Sequence, residues 1–256
     1  MWRFINTEYR HGKFNMEFDE FLAKQLAGGS GIPTVRVYGW EPYAVSLGFH
    51  QRESEIDTAR CCDLGIDVVR RPSGGRAILH AHEITYSVVL PSRGQSVKEV
   101  YKEISAPLVK ALQFLGIEAD VAHKDIEGHD FGEEGRTSCF ASTSRFEIQV
   151  NGKKIIGSAQ RRYATEDTMH GDIVLQHGSI LLGPQHCQLA DLVTSGGSRM
   201  KAILEARTTE AETILRRHIP FEEAAAAVRH GFEEAWSMSF TAEEKITHEH
   251  LEVVAE

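Results

Sequence analysis

Three arginines, Arg70, Arg71 and Arg76, bracket the paired glycines Gly74 and Gly75, and His80 and Glu83 follow close behind. A guanidinium holds a carboxylate or phosphate in a fixed planar geometry. A paired glycine lets backbone approach a ligand without interference from Cβ. So much cation, imidazole and carboxylate at one turn points to a ligand loop, whereas a bare Gly-Gly turn with exposed arginines reads as an ordinary hairpin. Lys154 follows the Asn151-Gly152 turn, where a solvated lysine is the commonplace outcome. Cys139 is one of four cysteines, with Cys61, Cys62 and Cys187, that show no CxxC spacing. Their pattern suggests neither a disulfide framework nor a zinc site. Isolated cysteines are usually buried hydrophobes, but a thiolate beside a cation is a nucleophile. His80 and His177 suit a hydrogen bond in a core or turn as well as they suit catalysis.

The elements that must position these groups can be read from the pattern around them. Ile66 to Val69 reads as a buried strand entering the glycine loop, and Ile84, Tyr86, Val88 and Leu90 alternate in a strand leaving it. Trp2 to Asn6 reads as a short opening strand. A helix is expected from Asn15, through Met16, Phe18, Leu22 and Leu26, stopped by Gly28-Gly29. Thr34 to Tyr38 and Ala44 to Gly48 are strand candidates, and Ser54 and Asp57 suit the N-cap of a helix reaching Leu64. Val97, Val100, Tyr101, Ile104, Leu108, Leu112 and Leu115 form a helical stripe with a kink or restart expected at Pro107. Residues 123–136 read as an acidic surface loop. Asn151-Gly152 between Phe146–Val150 and Lys154–Ile156 is a two-residue hairpin signal. Ile173 to Leu175 and Ser179 to Leu182 read as strand on either side of Gln176-His177-Gly178. From Glu210 onward the pattern is helical, through Phe221, Ala225, Val228, Phe232 and Trp236. Strands first, with helices gathered at the end, imply an α+β architecture: a mixed sheet with flanking helices.

At 256 residues, 41% hydrophobic and 25% charged, the chain suits one large globular domain over 1–256, with a helical part at 208–256 and no separate accessory domain. The formal net charge of −9 argues against a general nucleic-acid binder. No apolar run reaches membrane-spanning length and no signal peptide opens the chain, so a cytoplasmic protein is expected.

Arg70-Arg71-x-x-Gly74-Gly75-Arg76-Ala77-x-x-His80-x-x-Glu83-x-Thr85-Tyr86-Ser87 resembles the signature of the biotin/lipoate protein ligase and lipoyl (octanoyl) transferase superfamily. Asn151 to Gln160 looks like the family's lysine motif with Lys154 at the lysine position, and Gln176 to Leu182 like the strand after it. Ser138-Cys139-Phe140 stands where the cysteine-dependent bacterial octanoyltransferases carry their nucleophile. The resemblance spans roughly the first three quarters of the chain. It implies transfer of octanoyl from acyl carrier protein through a Cys139 thioester to a lysine of a lipoyl-domain protein such as the glycine-cleavage H protein. Lys154 would then polarise the acyl carbonyl. Arg70, Arg71, Gly74, Gly75, His80, Gly157, Ser158 and His177 would shape the acyl and acceptor sites, and Cys139 and Lys154 would meet at the mouth of an apolar tunnel floored by Gly74-Gly75. No metal or nucleotide cofactor is implied. An ATP-dependent lipoate ligase, an amidotransferase between lipoyl domains and a catalytically silent acyl-binding module are the alternatives. Met16-Glu17-Phe18-Asp19 departs from the family pattern and is expected to alter a helix surface, and residues 162–171 are longer than usual in the octanoyltransferase branch.

Overall fold

A computed structural model describes residues 1–122, 147–165, 171–241 and 243–245. Eleven strands and six α-helices lie among them. β1 (Arg3–Arg10) leads into α1 (Gly12–Ala27), then β2 (Thr34–Trp40), β3 (Ala44–Leu47), α2 (Thr58–Asp63), β4 (Asp67–Arg70), β5 (Ile78–His80) and β6 (Glu83–Pro91). α3 (Val97–Phe114) separates these from β7 (Asp120–Val121), β8 (Ile148–Val150), β9 (Lys153–Tyr163) and β10 (Ile173–Leu181). α4 (Gly197–Arg207), α5 (Ala211–Leu215), α6 (Phe221–Ala235) and β11 (Glu243–Lys245) complete the order.

An eight-stranded mixed sheet runs β11-β1-β2-β6-β10-β9-β8-β7, and a three-stranded sheet runs β4-β3-β5. The fold is α+β, as the sequence implies. Alternate residues of the large sheet feed two different layers. Phe4, Val35, Val37, Tyr86, Val88 and Ile156 pack with α3 and α6 in the main core. On the opposite face, Ile5, Val89 and Leu175 pack with Phe14, Phe18 and Leu22 of α1. The small sheet closes over that same face, where Leu47, Leu79 and Leu181 share a third core with Leu189, Met200 and Leu204.

Several expectations shift. α1 starts at Gly12 rather than Asn15, because the His11 imidazole caps it by accepting from the Phe14 N–H at 3.2 Å. β1 runs on to Arg10, four residues past the expected end at Asn6, bulging between Asn6 and Tyr9 to stay paired with β2. α3 runs through Pro107 without interruption, with that residue buried. β4 is only half-buried, as an edge strand of the small sheet. Ile78–His80, read as loop, is strand β5, and Gln176-His177-Gly178, read as a break, lies inside continuous β10. The C-terminal part also contributes a strand, β11, paired in parallel with β1. The expected hairpin forms: Asn151 and Gly152 take φ of 51° and 76° between β8 and β9. The acidic stretch 123–136 and Cys139 lie outside the described residues, as do five positions, 166–170, of the long segment 162–171.

Candidate functional site

Between the two sheets lies a narrow, partly open slot with a cavity volume of about 20 Å³. Met16 of α1, Tyr38 and Trp40 of β2 and Thr85 of β6 line one side; Arg71, Ile78 and His80 come from the small sheet and its loop. Gly157, Ser158 and Ala159 of β9 and His177, Gly178 and Ser179 of β10 complete the wall. The surface facing the slot is almost wholly apolar, although many of these residue types are polar, because their polar atoms are engaged elsewhere.

Two parallel relays account for this. His177 Nδ1 stands 3.1 Å from Asp19 Oδ2, and its Nε2 2.5 Å from Ser73 Oγ. His80 Nδ1 stands 2.8 Å from Glu83 Oε1, and its Nε2 2.8 Å from Ser46 Oγ. Asp19, held ionised by its partners, only accepts, so His177 Nδ1 carries the proton and its Nε2 accepts from Ser73. Burial pushes His177 below the ordinary imidazole range, although the Asp19 carboxylate opposes that shift. Ser46 and Ser73 are fully buried and do not line the slot, so the relays orient imidazoles rather than offer a serine nucleophile. His80 also stacks on Trp40, with centroids 3.9 Å apart, and the Trp40 indole donates to Thr85 Oγ1 at 2.8 Å.

Behind this wall Asp19 serves as a hub. Its Oδ1 accepts from Arg36 Nη1 at 2.7 Å and from Ser87 Oγ at 2.8 Å, and its Oδ2 from Tyr38 at 2.8 Å. Burial alone would raise this carboxyl, but Arg36, His177 and Ser87 outweigh burial and hold it below the ordinary range. The Asp19 expected on a helix surface is thus fully buried.

The arginines of the glycine loop spend their hydrogen bonds on backbone. Arg71 donates to the carbonyls of Ser46 (2.9 Å), Gly74 (2.8 Å) and Arg76 (2.7 Å), and Arg70 Nη1 to those of Gly48 (2.8 Å) and Gln51 (2.7 Å). These contacts fix the loop's shape. Gly74 and Gly75 do not line the slot; the glycines that do are Gly157 and Gly178. A Cβ on Gly178 would lie 2.3 Å from the Gly157 carbonyl oxygen and 2.8 Å from the Tyr86 ring, so only glycine lets the strands meet there. Next to it Ser158 Oγ bonds the Tyr86 hydroxyl at 2.6 Å, and Tyr101 of α3 donates to the Ser158 carbonyl at 3.2 Å.

The structure therefore gathers Arg71, His80, Gly157, Ser158 and His177 around one slot and leaves Arg70, Gly74 and Gly75 in the loop behind it. Lys154 is buried near the start of β9, outside the slot lining, with its Nζ 2.5 Å from Glu147 Oε1. Sequence reasoning missed Asp19, Arg36, Ser46, Ser73 and Glu147. A carboxylate at Asp19, one turn after Asn15 on the otherwise apolar face of α1, was the available signal for the first of these.

The sequence family described as lipoyl protein ligase A/B catalytic domain matches residues 11–233. Octanoyltransferase LipM of Kyrpidia tusciae is 37% identical, covering 98% of this chain and 94% of its own length. Octanoyltransferase LipM of Geobacillus kaustophilus is 35% identical over the same shares. Among solved structures, a lipoate-protein ligase A bound with ATP matches with a TM-score of 0.76 at 20% identity, over 99% of this chain and 92% of that one. A bipartite lipoate protein ligase from Thermoplasma acidophilum gives 0.77 at 19%, over 99% and 90%. At such identities the structures share a fold.

Proposed function

We propose an octanoyl-transfer function from one established premise: the chain belongs to the lipoyl protein ligase A/B catalytic-domain family. Relatives named octanoyltransferase, similar along nearly their whole length, support the acyl group. The observation that carries the reading is the slot itself: an apolar cleft whose polar wall residues are already satisfied suits an alkyl chain and repels a charged one. At about 0.8 kcal/mol per buried methylene, an eight-carbon tail contributes several kcal/mol of binding.

In the finer mechanism the donor is octanoyl-acyl carrier protein. The Cys139 thiolate attacks the thioester carbonyl carbon, the bond to the carrier's sulfur breaks, and the carrier leaves as a thiolate that takes up the proton Cys139 gave up. A lysine amine of a lipoyl-domain acceptor, such as the glycine-cleavage H protein, then attacks the enzyme thioester. It loses a proton, forms the amide and releases Cys139. Lys154 donates to the carbonyl oxygen in both steps; one positioned donor of this kind is worth about 3 to 4 kcal/mol. Supporting this, Cys139 lies eight residues before Glu147, the partner of Lys154.

Incubating the protein with octanoyl-acyl carrier protein without ATP, and weighing the intact chain, tests the scheme. An octanoyl adduct that disappears in Cys139→Ala is the expected result. Formation of lipoyl-AMP from lipoate and ATP would instead establish a ligase. Binding without any covalent product would establish a silent acyl-binding module.

A further inference from the structure

We propose that His82, Glu212 and His218 form a binding site for a divalent transition metal of the zinc class, separate from the acyl slot. Two stretches far apart in sequence deliver these residues to one point: the turn between β5 and β6 carries His82, and α5 with the link that follows it carries Glu212 and His218. His82 Nε2 lies 2.8 Å and His218 Nδ1 2.7 Å from the same Glu212 oxygen, Oε1. One ligand atom from each of the three lies within 4.8 Å of the others, and this is the one such group of three among the described residues. The two imidazoles stack nearly parallel, with ring centroids 5.7 Å apart and planes 9° apart.

Two histidines and a carboxylate make a recognised zinc donor set, with bonds of about 2.0 to 2.2 Å. Ligands at such bonds stand about 3.3 Å apart in a tetrahedron, so seating an ion requires the present contacts to open by about half an ångström. The structure allows that movement. The His218 side chain is 71% exposed, while His82 and Glu212 are 24% and 23% exposed, which leaves an entry path and room for a water ligand. The Ile219 N–H, donating to Glu212 Oε1 at 2.9 Å, orients the carboxylate from behind. Each neutral imidazole turns a lone pair to the ion by moving its N–H to the other ring nitrogen.

Two buried histidine–carboxylate pairs beside the slot look different. His177 and His80 each face one carboxylate on one nitrogen and a serine on the other. Those rings are shut off from solvent between their two partners. Among the described residues, only at Glu212 do two imidazoles converge on one oxygen at a solvent-facing place. An ion there would tie the C-terminal helices to the turn that carries Glu83, the orienting partner of His80. That turn is already joined to the end of β10, because the His82 carbonyl accepts from Leu182 and Gly183.

Tag-free protein stripped with chelator and titrated with Co²⁺ and Zn²⁺ tests this. The expected result is one Co²⁺ per chain with visible ligand-field bands and no thiolate charge-transfer band. Zn²⁺ should displace it and raise the melting temperature. His218→Ala, at an exposed position that leaves folding intact, and Glu212→Gln, which keeps a carbonyl oxygen for Ile219, should each weaken binding by at least about tenfold. Absence of stoichiometric binding, a thiolate band, or undiminished affinity in His218→Ala would overturn the proposal. None of these readouts depends on octanoyl transfer.

Discussion

Asp19 gathers a fully buried arginine, an imidazole, a serine and a tyrosine around one carboxylate. Arg36 is fully buried beside it, spends its donors on Asp19, Asn15 and Thr7, and lies 3.8 Å from the Tyr38 ring. Removing one partner of such a pair leaves an uncompensated charge in low dielectric. Asp19→Asn should therefore cost about 3 to 5 kcal/mol, read as a drop in the urea midpoint at constant m-value. His177 contributes to the pH response. Its folded pKa is depressed, so the unfolded chain takes up a proton that the buried ring refuses. The stabilising contribution is complete above about pH 6.5 and is lost as pH falls from there toward the folded value. His177→Gln should flatten the dependence of the urea midpoint on pH between about 7.5 and 5, and an unchanged slope would refute the assignment.

Among the elements, α3 holds Tyr101 against the Ser158 carbonyl and so braces the slot from the far side of the large sheet. Its start rests on a reciprocal cap: Glu99 N–H donates to Ser96 Oγ at 3.3 Å, and Ser96 N–H donates to Glu99 Oε2 at 2.7 Å. Ser96→Ala should cost about 1 kcal/mol and fray the first turn, visible as faster amide exchange at Val97 to Val100. Elements with strong periodicity, such as β6, α3, α6 and the Asn151-Gly152 hairpin, were legible from residue pattern alone. Others depended on partners that a linear reading does not contain. β10 reads as broken at Gln176-His177-Gly178 because these residues favour turns in isolation. In the fold Gln176 bonds Tyr86, His177 is held between Asp19 and Ser73, and Gly178 is demanded by the crossing with β9. The Pro107 restart failed to appear because tertiary packing outweighs local propensity. Arg71, His80, Gly157, Ser158 and His177 were found through motif resemblance, whereas Ser46, Arg36 and Glu147 carry no local signal: only the folded chain makes them neighbours. The His82–Glu212–His218 group is invisible for the same reason, the first two being 130 positions apart.

At the scale of the whole molecule, two sheets of unequal size enclose the slot. The large one is covered on one face by the main core with α3 and α6, whereas the three-stranded one rests on a smaller cluster around Leu47, Leu79 and Leu181. Fewer strands and less buried apolar area imply a lower local opening free energy. Leu79 is fully buried, and Leu79→Ala should cost about 2 to 5 kcal/mol. It should speed hydrogen exchange in β3, β4 and β5 more than in β6 and β10. Uniform acceleration across both sheets would show a single cooperative unit instead.

The Trp40 indole, sealed at 1% exposure and stacked on His80, forms part of the slot wall. The other two of the three tryptophans, Trp2 and Trp236, pack against each other beside the main core, 4.7 Å between ring centroids. The protein thus carries a built-in optical reporter. An alkyl chain entering the cleft alters the surroundings of one fluorophore and leaves the distant pair as an internal reference, so occupancy is readable from native emission without any attached dye.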